Sequence, residues 1–138
     1  MRQELILAPM GALALLTFLV LSIVPLRRFR AGFARQVTAA DFRYGESAAV
    51  PGEVSLPNRA YMNLLELPVL FYVACALMLA TGKFDATQVA LAWVFVATRA
   101  VHAAIHIGIN YVPLRFAAFF AGSVTLAVLW VRLAAQNL

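Results

Sequence analysis

With 138 residues, 64% of them hydrophobic, and a formal net charge of +5, the chain carries more apolar surface than a domain of this size can bury. That excludes an ordinary water-soluble globule and makes the bilayer its natural solvent. Nor does the charge argue for nucleic acid: Arg27, Arg28, Arg30, Arg35 and Arg43 fall in one connection beside an apolar run, the pattern of a cytoplasmic loop under the positive-inside rule.

Leu5 to Leu26 is apolar apart from Thr17 and Ser22, and a membrane span needs roughly 20 such residues. A secretory signal has a shorter apolar core, about 7–15 residues, and a small-residue cleavage site. The run therefore predicts a retained first helix over about 5–30. Residues 31–57 read as a long cytoplasmic loop carrying Gly45, Pro51, Gly52 and Pro57. Ser55-Leu56-Pro57-Asn58 looks like a helix start with Asn58 as N-cap. A second helix is predicted over 59–80, kinked at Pro68, which lacks an amide hydrogen. The short turn Thr81-Gly82-Lys83-Phe84-Asp85 leads to a third helix over 86–110, which Asn110-Tyr111-Val112-Pro113 ends. A fourth spans 114–134, with Gly122 and Ser123 as a place for close helix approach.

The expected fold is an all-α integral membrane protein, a single four-transmembrane-helix bundle over 1–138. Four spans put both termini on one side, the non-cytoplasmic one, with the arginine-rich loop and Arg115 opposite. Cys75, alone and inside an apolar run, reads as an inert buried thiol. Lys83 and Arg132 read as interface anchors.

Two polar stripes interrupt the apolar helices. Arg59, Asn63 and Glu66 lie at i, i+4 and i+7 on the second; Arg99, His102 and His106 lie at i, i+3 and i+7 on the third. Ionisable groups are costly at membrane depth and should face the bundle interior. The structural reading pairs Glu66 with Arg99 and Asn63 with a histidine. The functional reading makes the stripes a site for a small anionic ligand, with Arg59, Arg27 and Arg28 meeting carboxylates and Glu66 an ammonium group. His102 and His106 at i, i+4 also resemble two ligands on one helix face, without the glutamate of a H-E-x-x-H motif. A proton relay through Glu66, His102 and His106 is a further alternative.

Arg59-x3-Asn63-x2-Glu66 together with Arg99-x2-His102-x3-His106 resembles the MAPEG family, the membrane-associated proteins in eicosanoid and glutathione metabolism. Length, four spans and Arg27-Arg28 at the end of the first helix agree, and the resemblance covers essentially the whole chain. It implies a homotrimer with glutathione as cosubstrate between neighbouring subunits, with Arg59, Asn63 and Glu66 at the contacting positions of the second helix and Arg99 at the matching arginine of the third; Arg27, His102 and His106 complete the candidate glutathione set. Arg115, or Arg28 of a neighbour, would hold the thiolate. His102 and His106 stand where the glutathione-binding eicosanoid enzymes have tyrosines. The R-x2-H-x3-H-x3-N form ending at Asn110 is similar to a bacterial branch, in the inner membrane. The implied function is a membrane glutathione-dependent transferase or peroxidase for lipophilic electrophiles. The alternative is a non-catalytic trimeric protein that binds a lipid or small anion.

Overall fold

Each of the four apolar runs becomes a long α-helix, because backbone amides in lipid have no water and must bond within their own segment. The computed structural model describes residues 3–137. Its elements are α1 (Glu4–Phe33), a 3-10 turn (Ala39–Phe42), α2 (Gly52–Thr81), α3 (Ala86–Ile107) and α4 (Val112–Asn137). All four α-helices are long and apolar enough to cross a membrane. The protein is an all-α, multi-pass membrane protein.

At 30 residues, α1 is about 45 Å long, well beyond the roughly 30 Å of hydrocarbon. Its final turns therefore stand in the interface and carry Arg27, Arg28 and Arg30. The largest departure from expectation is the start of α2. It begins at Gly52, with Pro51 as N-cap and no side-chain cap, so Asn58 is not the cap and Pro57 lies inside the helix. A proline cannot donate to the carbonyl four residues back. That carbonyl, Glu53 O, is instead bonded by Arg27 Nη1 at 2.8 Å.

The other ends follow local chemistry. Gly82 closes α2 in the left-handed region (φ +67°), its N–H on Met78 O at 3.0 Å. Asp85 caps α3 reciprocally: its carboxylate accepts from Gln88 N at 3.0 Å, and Gln88 Oε1 accepts from Asp85 N at 2.9 Å, a capping box. Asn110, also left-handed (φ +46°), turns the chain into α4.

Buried side chains recur every seven residues: Ile6, Leu13 and Val20 on α1, and Leu64, Phe71 and Met78 on α2. That is the spacing of a left-handed helix seam. Phe71 stacks on Phe95 of α3, ring centres 4.9 Å apart. α3 packs most extensively on α4 and α1 on α2, while α1 and α4 do not touch among the described residues. A second, small cluster of Ala31, Val37, Val50 and Val54 draws the first loop back against the ends of α1 and α2.

Candidate functional site

Arg59 and Glu66 are exposed on the flank of α2 and Asn63 is half-buried between them. Among the described residues neither Arg59 nor Glu66 forms an ion pair, and the buried Asn63 Oδ1 has no hydrogen-bond partner. Around them Met62, Leu65 and Val69 are also exposed. The stripe is thus a charged row on an apolar lateral face, turned away from the chain's own core.

The α3 stripe faces the other way. Arg99 is fully buried, and His102 and His106 are buried; Arg99 and His102 bond to α4. Arg99 Nη2 donates to Phe119 O at 3.0 Å and to Ala118 O at 3.5 Å. The guanidinium carbon sits 5.4 Å from the Phe95 ring centre and 5.1 Å from that of Phe119, within cation–π range. Space for it comes from Gly122: a Cβ there would stand 2.6 Å from Arg99 Nη2 and 2.7 Å from Thr98 Oγ1. His102 Nδ1 lies 3.0 Å from Arg115 O. A carbonyl only accepts, so Nδ1 carries the hydrogen and, in the neutral ring, Nε2 is the acceptor. The His106 ring stands edge-on to His102, 5.6 Å between centres. Arg99 Nε and Nη1, His102 Nε2 and His106 Nδ1 are buried without partners among the described residues.

The expected Glu66–Arg99 pair and the Asn63–histidine bond are therefore not formed. Helical carbonyls keep a second lone pair, and those of α4 at Arg115, Ala118 and Phe119 take the donors that Glu66 and Asn63 were expected to receive. Buried cation–carbonyl bonds over a glycine leave no signal in either helix read alone. Gly122 was legible as a close-approach site, though what approaches is a side chain and not a helix backbone.

Arg27 and Arg28, adjacent in sequence, part company. Arg27 binds Glu53 O and, at 3.3 Å, Ile107 O, which ties α1 to the start of α2 and the end of α3. Arg28 turns to the first loop, pairing with Glu46 at 2.9 Å and lying 4.6 Å over the Phe42 ring. Arg115 donates through Nη1 to Asn110 Oδ1. Among the described residues no three His, Cys, Asp or Glu side chains converge as a metal site would need.

The model of the MAPEG family matches residues 6–135. The chain belongs to the MAPEG family. No curated protein and no solved structure gives a match. MAPEG proteins are glutathione-related membrane proteins of the transferase and peroxidase type, and they generally use glutathione.

The far end of this MAPEG chain holds a cluster that sequence reading missed. Arg132, expected as an interface anchor, pairs with Asp85 at 2.7 Å, and Gln136 Nε2 donates to the same carboxylate at 3.3 Å. Lys83 Nζ reaches Gln136 O at 3.5 Å. The Gln88 backbone N–H at the α3 cap holds the Asp85 carboxyl below the usual carboxylate range; burial opposes this and Arg132 adds to it. Cys75 is buried and free.

Proposed function

We propose that this MAPEG protein is a glutathione-dependent transferase or peroxidase acting on lipophilic electrophiles. It would work as a homotrimer in a bacterial inner membrane, with both termini on the non-cytoplasmic side. The observation that carries the reading is the unpaired row of Arg59, Asn63 and Glu66 on the flank of α2. A guanidinium and a carboxylate at this depth are too costly to leave against lipid. Glutathione offers two carboxylates, an ammonium group and amides, and the row supplies their complements. Arg59 would hold a carboxylate, the Asn63 amide a polar group of the backbone, and Glu66 the ammonium group. A neighbouring subunit would close the site from outside.

The chemistry asked of the chain is small. A thiolate is the nucleophile, and a guanidinium beside it favours ionisation. Arg115, whose remaining donors are free of the Asn110 bond, is the candidate for that role; Arg28 is turned to the first loop. Sulfur would attack the electrophile's carbon as its leaving group departs or its epoxide opens. His102, with Nε2 as acceptor, or His106 would pass the proton. Arg99 would supply positive field from behind α3. The electrophile would enter laterally from the bilayer.

A second reading, a non-catalytic protein that binds a lipid or small anion, draws on the engagement of both candidate thiolate-holding arginines, Arg28 with Glu46 and Arg115 with Asn110. The two separate in detergent solution. Saturable glutathione binding with conjugation of an activated aryl halide supports the transferase. Binding without turnover supports the alternative, and no binding removes the transferase.

A further inference from the structure

A cavity of about 690 Å³ lies between the last turns of α1 and the folded first loop. It is separate from the Arg59 row. Val24, Pro25, Phe29 and Phe33 of α1 line it from one side and Phe42 of the 3-10 turn from the other. Its size is that of a ligand site, and its lining is mostly apolar. From Val24 to Phe33 it follows about 14 Å of helix, from the end of the apolar run past Arg27, Arg28 and Arg30.

Arg28 is the cation in its wall. One nitrogen, Nη2, is held by Glu46. Nε is buried with no partner among the described residues, although an arginine carries five donors in a fixed fork. The surroundings are basic: residues 27–57 hold five arginines and three acids. Two of those acids are committed, Glu46 to Arg28 and Asp41 to Thr38 and Ser47. Phe33 (87% exposed) and Tyr44 (90%) stand out from the same surface, as aromatic side chains do at headgroup level.

We infer that this cavity is a phospholipid site, which takes one acyl chain of an anionic bilayer lipid between α1 and the first loop and holds its phosphate at Arg28. The apolar depth selects for a chain. The unfilled guanidinium edge selects for an anion, and juxtamembrane basic pockets suit such headgroups. The bilayer supplies this occupant at the level where the cavity opens. Glu46 keeps Arg28 oriented from the loop side while the lipid approaches from the membrane side. Bound lipid would pin the first loop to α1.

The test is native mass spectrometry of the purified, delipidated protein in a nonionic detergent, titrated with phosphatidylglycerol or with phosphatidylcholine of the same chains. Phosphatidylglycerol is expected to bind once per chain and roughly tenfold more tightly, about what one charge-assisted contact contributes. Arg28→Gln should bring its binding down to the phosphatidylcholine level. Gly32 lines the cavity, and a Cβ placed there meets nothing within 4 Å; Gly32→Trp should therefore occupy the space and abolish retention of both lipids, with glutathione binding intact. Equal retention of the two lipids by the unaltered protein would overturn the inference. So would phosphatidylglycerol retention that survives Gly32→Trp, or complete displacement by millimolar inorganic phosphate, which would mark a site for a soluble anion.

Discussion

The guanidinium of Arg27 replaces the amide hydrogen that Pro57 lacks. Its Nη1 donates to Glu53 O at 2.8 Å, the carbonyl a residue other than proline at position 57 would bond. α2 can therefore run through Pro57 to Gly52 and bring Val54 onto the end of α1. Arg27→Ala should lower stability by about 1 kcal/mol, the net worth of one hydrogen bond. Pro57→Ala restores the missing donor, so Arg27→Ala should cost less in that background, with a coupling of at least about 0.5 kcal/mol. Thermal unfolding of the four proteins in detergent measures it, and strict additivity would refute the relationship.

Arg99 and Gly122 make a second dependent pair. A Cβ at position 122 would stand 2.6 Å from Arg99 Nη2, and a fully buried arginine has little room to retreat. Gly122→Ala should destabilise by about 1–3 kcal/mol, the usual range for overpacking. Adding Arg99→Met should recover part of that loss, since a flexible apolar chain avoids the clash and removes a buried charge. A Gly122→Ala protein that melts like the unaltered one would show that the guanidinium does not rest there.

Glu66→Gln tests the row on α2. The substitution keeps size and one acceptor oxygen and removes the charge meant for an ammonium group. Glutathione affinity is expected to fall more than tenfold, in line with the loss of a charge-assisted bond, while the oligomer persists. Equilibrium dialysis with size analysis of the same sample reads both, and unchanged affinity removes Glu66 from the site.

Two carboxylates outside the spans set the acid response. The Gln88 backbone N–H holds the Asp85 carboxyl below its ordinary range, against burial and with help from Arg132. The Thr38 backbone N–H does the same for Asp41, with the Ser47 and Thr38 hydroxyls adding to it. A carboxyl lowered in the folded state stabilises above its unfolded value, about 3.9, and that contribution is lost as pH falls through the folded value. Melting temperature should therefore hold from neutral pH to about pH 4 and drop below it. Asp85→Asn should start lower and lose less on acidification. An acid limb as steep as in the unaltered protein would exclude Asp85 as its source.

Much of the architecture was readable from residue order. The apolar runs located α1 to α4, and Gly82 marked the end of α2, whereas α3 stops at Ile107, before Asn110. The start of α2 was not readable, because the donor that makes Pro57 tolerable sits on α1, 30 positions away along the chain. The site was half readable. Arg59, Asn63 and Glu66 share a face as their spacing requires. Arg99, His102 and His106 also share one, yet their partners are backbone carbonyls, which every residue possesses and no sequence pattern marks.

By itself the sequence determined a membrane protein of four spanning helices, since long apolar stretches in lipid leave the backbone no alternative to internal hydrogen bonds. It also determined which polar groups travel together, because helical periodicity assigns each side chain to a face. Tertiary structure alone decided where those faces look: Arg99 and His102 toward α4, the α2 row outward, Arg27 and Arg28 to different partners. Periodicity defines a direction around one helix axis. The neighbour lying in that direction depends on how distant segments pack, and here a missing side chain at Gly122 and a missing hydrogen at Pro57 settled it.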